Sequence, residues 1–314
     1  MSNPQNEIES LVHLYQDGAF NRRELVRRVA RVTGSVATAA ALLKTIGLPK
    51  AASAQQCPED VRVPEPAPDV EAQVVDFRGE AGTVFAYLAR PRDPASPART
   101  RGRGSTVRPA VLVIHENRGL NDHIKDVTRR VARAGFVGLG VDLLSRVGGT
   151  HQFPDPQQAG AAYNRVGAAV FLEDMLASLA YLKTLPFVQA DRLGAVGFCA
   201  GGGNCLNLAV NSQDLAAAAV FYGSSFPTAE QVDRLAGPLL GIYGEQDRFV
   251  TMRVPSLITA LLDRRKVFSL HIYEGVSHAF HNDTGPSYNR AAACDAWART
   301  VAFFNRHLRG VTVG

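Results

Sequence analysis

Several residue types and patterns are scarce in this chain, and each scarcity closes a line of interpretation. There is one tryptophan, Trp297, and there are four cysteines in 314 residues, too few for a disulfide framework. No C-x-x-C pair and no Cys/His spacing of the zinc-site kind occurs, so no metal ligand set is read. No internal repeat is visible. The apolar run near the N-terminus, Val36 to Leu48, is short and interrupted by Lys44, a poor transmembrane helix. What is present suffices for a sizeable core: hydrophobic residues make up 46% and mean hydropathy is −0.05. The length exceeds the usual single-domain size, but α/β folds commonly run past two hundred residues as one domain.

Net charge is +5, and its placement matters more than its sum. Residues 1–54 hold seven Lys/Arg against four Asp/Glu, and Arg90, Arg92, Arg99, Arg101, Arg103 and Arg108 cluster in a Pro/Ser/Gly-rich stretch. Nucleic-acid binding needs basic residues gathered on one folded face. Here they lie in a leader and a loop, so nucleic acid is set aside as a partner.

The leader has three parts. Asn21-Arg22-Arg23-Glu24-Leu25-Val26-Arg27 is basic, Val36 to Leu48 is apolar, and Ala52-Ser53-Ala54 is a small-x-small end before Gln55. That is the layout of a secretory signal, and the paired arginines point to the twin-arginine type. Residues 1–54 are therefore expected to direct export to the periplasm, with no stable membrane anchor. The alternative is a surface amphipathic helix in a cytoplasmic protein. Cys57 follows Gln56, not a small residue, which argues against lipoprotein attachment. Residues 55–70 are proline-rich and acidic and are expected to form a linker or surface tail. A folded domain over 71–314 follows.

In that domain, strand-like runs alternate with helical stripes. Strands are predicted at Ala72–Phe77, Val84–Leu88, Ala110–Ile114, Phe136–Val141, Leu193–Gly197, Ala216–Phe221, Leu239–Tyr243 and Val267–Tyr273. Helices are predicted over Ile124 to Ala134 (stopped by Gly135), Phe171–Leu185, the stretch after Gly203, Pro255–Asp263 and about Tyr288 to His307. Such alternation implies an α/β fold with a mainly parallel central sheet and helices on both faces. Ligand sites in these sheets lie beyond the C-terminal ends of the strands. Polar residues do gather just after the strands: His115-Glu116-Asn117-Arg118, Asp142, Cys199, Asp247 and His278.

Gly197-Phe198-Cys199-Ala200-Gly201 follows the apolar run Leu193-Gly194-Ala195-Val196 and opens onto glycines and a helix-compatible stretch. Strand, tight turn and helix with a nucleophile at the apex is the layout of a nucleophile elbow, with cysteine where serine usually stands. A thiol nucleophile needs a base or a lowered pKa, because the thiolate reacts. A helix N-terminus favours the anion, and a histidine oriented by a carboxylate serves as base. Asp247 and His278 follow Cys199 in the order nucleophile, acid, histidine. Glu245 is a rival for the acid and His281 for the base. Cys205 and Cys294, in apolar helical contexts, are expected to be core thiols. An oxyanion hole is expected from the backbone N–H groups of Ala200, just after the nucleophile, and Asn117, after strand Ala110–Ile114.

With these residues in place, the chain resembles the dienelactone hydrolases of the α/β-hydrolase superfamily over most of residues 70–310. The resemblance is carried by Val113-Ile114-His115-Glu116, Gly197-Phe198-Cys199-Ala200-Gly201-Gly202, Gly244-Glu245-Gln246-Asp247 and Ser277-His278-Ala279-Phe280. It implies hydrolysis of a small-molecule ester or lactone with no cofactor, Cys199 as nucleophile, His278 as base and Asp247 as its orienter. It also implies that Glu116 contacts the resting thiol and is displaced by substrate, so that the thiolate forms. The chain departs from the family at one place. Dienelactone hydrolases bind the substrate carboxylate with arginines, one shortly after the catalytic histidine, whereas here that stretch is His281-Asn282-Asp283-Thr284. Arg118 is the candidate to supply positive charge instead. The segment His115 to Asn121, with the leader, resembles an exported branch of the family, expected as monomer or homodimer. The other readings kept open are an esterase or peptidase of other specificity and a catalytically inert binding protein on the same fold.

Overall fold

A computed structural model describes residues 22–45, 61–93 and 106–310, together with Pro4, Glu7, Ile8 and Leu11. Two short helices, α1 (Arg22–Thr33) and α2 (Val36–Thr45), precede the sheet. Leu25, Val29 and Ala39 are buried in a small core of their own. No helix among the described residues is long and apolar enough to cross a membrane. The end of the expected leader at Ala54, and Cys57, lie outside the described residues.

The sheet has eight strands in the order β1-β2-β4-β3-β5-β6-β7-β8. In chain order they are β1 (Val70–Gly79), β2 (Gly82–Pro91), β3 (Arg108–Ile114), β4 (Val137–Val141), β5 (Val188–Phe198), β6 (Leu215–Phe221), β7 (Leu239–Gly244) and β8 (Phe268–Tyr273). The first two form an antiparallel hairpin, and β2 runs antiparallel to β4; every other pairing is parallel. The continuous apolar runs are thus strands covered on both faces. Along β3, Ala110, Leu112 and Ile114 enter one core while Val111 and Val113 enter the other, the alternation that a pleated strand imposes.

Helix α3 (Asp122–Arg133) and α10 (Arg290–Arg309) cover one face. The other is covered by α4 (Pro156–Val166), α5 (Ala168–Thr184), α6 (Ala200–Asn211) and α9 (Val254–Asp263). Two single-turn helices, α7 (Ala229–Val232) and α8 (Arg248–Thr251), sit in loops. Capping explains the starts: Asn121, Asp155 and Asn289 each accept a hydrogen bond from a backbone N–H of the first turn of α3, α4 and α10.

Two expectations change. From residue 61 on, the segment expected as a linker or surface tail lies against the fold and is anchored there: Val63 and Ala67 are buried in the α3-side core. The Val63 N–H donates to Asp126 at 2.7 Å, Arg129 donates to the Val63 carbonyl at 2.7 Å, and Arg133 pairs with Asp69. The two apolar residues interspersed among the prolines and acids give it a buried side. Cys205 is a fully buried free thiol, as expected, but Cys294 is half-buried and disulfide-bonded.

Candidate active site

The site is assembled where β3, β5, β6, β7 and β8 end. Cys199 follows β5 with φ 55° and ψ −120°, a left-handed conformation that costs a non-glycine residue free energy and is held only by its surroundings. Its N–H donates to the Phe221 carbonyl at 3.0 Å, and its carbonyl accepts from Gly202 at 2.9 Å. Two glycines make the turn possible. A Cβ on Gly197 would lie 2.0 Å from the Gly201 carbonyl oxygen, and one on Gly201 would lie 2.3 Å from that of His115. Any side chain at either position would push α6 off the strands. Ala200 opens α6, so its N–H has no intrahelical acceptor.

Parallel pairing of β7 with β8 sets the next two loops side by side, tied by a 2.9 Å bond from Gln246 N–H to the Val276 carbonyl. Asp247, 7% exposed, and His278 meet there. His278 Nδ1 lies 2.5 Å from Asp247 Oδ2 and its Nε2 lies 3.1 Å from Cys199 Sγ. A carboxylate only accepts, so Nδ1 donates to it, and Nε2 is left to exchange a proton with sulfur. Burial pulls the ring's pKa down, but its hydrogen bonds to Asp247 and Cys199 outweigh this and hold it up at about 10. A ring so held carries a proton at neutral pH.

The rivals are placed elsewhere. Glu245 accepts from the Gly275 N–H at 2.9 Å, bracing the turn after β8. His281 is 1% exposed and sits among Phe198, Phe221 and Trp297. Asp142 organises the loop after β4, accepting from Leu144, Thr150 N–H and the Thr150 hydroxyl.

After β3, His115 is fully buried. Its Nε2 accepts from the Leu143 N–H at 3.0 Å, so its Nδ1 carries the hydrogen donated to the Glu116 carbonyl at 2.5 Å. Burial pushes its pKa down, and the neutral ring fixes the backbone at Glu116. The Glu116 side chain is 6% exposed, and Oε2 accepts from Asn282 at 2.8 Å. Asn117 and Arg118, next along this loop, are exposed.

Two features escaped the sequence. Tyr222, just past β6, has φ 41° and is fully buried, its ring centroid 5.0 Å from that of His278. Burial, then the negative charges of Glu116 and Cys199, push its hydroxyl pKa well above the usual tyrosine value. Its only sequence signal is its position after a strand. The second is a buried ionic cluster behind the His278 loop. Asp283 accepts from His123 at 2.9 Å, Arg62 at 2.8 Å and Arg130 at 2.9 Å, and Arg130 also pairs with Asp126. Burial pushes the Asp283 pKa up, but these donors together hold its carboxyl far below the usual range. No cluster of metal-ligand residues occurs among the described residues.

The sequence profile of the dienelactone hydrolase family matches residues 97–308. A carboxymethylenebutenolidase homologue of Saccharolobus solfataricus is 31% identical over 265 residues, covering 73% of this chain and 96% of the relative. One from Synechocystis sp. is 33% identical over 255 residues, covering 77% and 99%. The crystal structure of a dienelactone hydrolase homologue from Klebsiella pneumoniae subsp. pneumoniae superposes with a TM-score of 0.67 at 25% identity, covering 76% of this chain and 99% of that one. The chain belongs to the dienelactone hydrolase family and is a hydrolase of carboxylic esters or lactones.

Proposed function

We propose that Cys199 is the nucleophile of this hydrolase, acting through an acyl-enzyme. The observation that carries the reading is the continuous relay from Asp247 through His278 to Cys199, at 2.5 Å and 3.1 Å. The thiolate attacks the acyl carbon and the carbonyl electrons move onto oxygen. That oxyanion is held by the N–H groups of Ala200 and Asn117. As it collapses, the ester C–O bond breaks and His278 Nε2 gives its proton to the leaving alkoxide. Water then yields a proton to His278 and attacks the thioester. The acid departs and the thiolate is restored. One ester and one water become one acid and one alcohol, or one hydroxy acid from a lactone. Asp247 keeps the imidazole in the required tautomer and stabilises its cation. In this reading substrate displaces Glu116 from the nucleophile, and Arg118 supplies positive charge to the substrate.

Cys199→Ala is expected to lower kcat/KM for p-nitrophenyl acetate by roughly 10⁴-fold or more, with no acyl adduct on intact-mass analysis. Full activity in this variant rejects the reading.

We further propose that residues 1–54 are a twin-arginine leader and that the mature enzyme is periplasmic. The Arg22-Arg23 pair, the apolar run behind it and the disulfide at Cys294 support this, since stable disulfides belong to oxidising compartments. Mass spectrometry of the exported protein is expected to find Gln55 at the N-terminus; Met1 or Ser2 there sinks the proposal.

A further inference from the structure

The cysteines of this chain divide between the chemistry and the frame. There are four: Cys57, Cys199, Cys205 and Cys294. Cys199 and Cys205 are free thiols, whereas Cys294 is disulfide-bonded. Cys199 faces His278 Nε2 at 3.1 Å, and the buried Cys205 donates to the Ala219 carbonyl at 3.5 Å. Within one chain, Cys57 is the only sulfur left to pair with Cys294.

Cys57 lies outside the described residues, but the chain that follows it is anchored. Arg62 bonds Asp283 twice, from Nε to Oδ2 at 2.8 Å and from a terminal guanidinium nitrogen to the carbonyl at 2.9 Å. Val63 is buried in the α3-side core. Asp283 belongs to the loop between His278 and α10, and that loop is closed on itself: the Asn289 N–H donates to the Phe280 carbonyl at 3.0 Å. Asp283 is three residues from this tie on one side. Cys294 is five residues from it on the other, in a helix that rises only about 1.5 Å per residue. Cys57 precedes Arg62 by five residues, which span up to about 17 Å when extended. The start of α10 is therefore within its reach, through hydrogen bonds that involve no sulfur. Cys294 itself is half-buried. Its neighbour Asp295 accepts from the Tyr273 hydroxyl at 2.7 Å, which fixes this turn of α10 against the end of β8.

We propose that Cys57 and Cys294 form a structural disulfide, which fastens the chain ahead of Arg62 to α10 and clamps residues 61–69 behind the His278 loop. As the S–S bond forms, the two thiols lose two protons and two electrons, and a disulfide-bearing oxidant takes them up to become two thiols. The bond closes a loop of more than two hundred residues, and cross-links over long loops restrict the unfolded chain most. Cys57 stands two positions past Gln55, so removal of the leader at Ala54 leaves it in the mature chain. The proposal holds whether or not Cys199 is the nucleophile and whether or not the leader is cleaved.

In the test, the full-length chain is purified without reductant, denatured, alkylated with N-ethylmaleimide and digested. Two adducts are expected, on Cys199 and Cys205, together with one cross-linked peptide pair that carries Cys57 and Cys294 and separates on reduction. Cys57→Ser and Cys294→Ser are each expected to lower Tm by about 8 °C or more. The double variant is expected to lose no more than either single one, because both remove the same bond. Adducts on all four cysteines overturn the proposal. So does Cys294 joined to any other cysteine, its own copy in a covalent dimer included, and so do single-variant losses that add in the double variant. Where a variant does not fold, the peptide map of the wild-type chain decides alone.

Discussion

His278 and His281 stand on one loop, separated by Ala279 and Phe280, and the protein sets them to opposite states. His278 is half-buried and held up at about 10, because Asp247 and Cys199 outweigh the cost of burial. His281 is fully buried and driven well below the usual histidine value, first by burial and then by repulsion from Arg130 and His123. The chain reverses direction between them at Ala279, φ 61°, a left-handed residue that aims one ring at the sulfur and the other at the aromatic interior. Two histidines of similar standing in the sequence thus become a charged ring facing the sulfur and a neutral packing group. What separates them is which charges the fold brings near each: carboxylate and sulfur in front, guanidinium behind.

The largest expected effect breaks the front half. Asp247→Asn removes the acceptor of Nδ1–H and permits the wrong tautomer, and kcat/KM is expected to fall by about 10³-fold or more. His278 has a raised folded-state pKa, so the stability that its charge contributes is whole below about 6.5. It is lost as pH rises through about 10. Both the active ion pair and its contribution to stability should fade over that alkaline window. A pH–rate profile is the measurement: the alkaline limb should move to lower pH in Asp247→Asn. An unmoved limb would mean that Asp247 does not set the charge of His278.

The next effect concerns the back half, and it should appear as stability rather than rate. Asp283→Asn leaves buried His123 without its carboxylate and Arg130 with Asp126 alone. Breaking a buried ionic cluster at one partner costs about 3 kcal/mol or more. Urea unfolding should show that loss. At temperatures where the variant remains folded, kcat should stay within about tenfold of wild type. A variant as stable as wild type would show that the cluster does not hold the loop.

The sequence displayed the front of the molecule better than its back, for physical reasons. Buried parallel strands appear as continuous apolar runs, and the polar residue ending each run marks the site edge. Cys199, Asp247 and His278 could therefore be singled out in order, and the structure brings those three together. Helix α4 was missed because its buried face is Ala159, Ala162 and Tyr163, too small a stripe to stand out, although Asp155-Pro156 was an available start signal. Nothing in sequence spacing distinguishes His278 from His281, because the distinction lies in the backbone at Ala279 and in Arg130 on a distant helix. The burial of Val63 is equally tertiary: its N–H is satisfied by Asp126, far away in sequence. Tyr222 reads as an ordinary core aromatic until its backbone conformation and its proximity to Glu116 are seen.

The smallest effect sharpens the contrast most directly. If His281 serves as a neutral ring, a phenyl ring should replace it. His281→Phe keeps the contacts to Phe198, Phe221 and Trp297 and removes a buried Nδ1 that has no partner among the described residues. The change should alter stability at pH 8 by no more than about 1 kcal/mol, as volume-conserving core exchanges do, and should leave kcat/KM unaffected. Its signature lies on the acid side. The folded protein keeps His281 neutral, whereas the unfolded chain protonates it below about 6.5. Its share of stability is therefore whole above that pH and drains away as pH falls below it. His281→Phe should remove that share of the acid loss, so its Tm should fall less than that of wild type between pH 7 and pH 5. A wild-type slope retained in the variant would place the acid sensitivity at other groups. A large loss of kcat at pH 8 would return His281 to the chemistry and erase the division between the two halves of the loop.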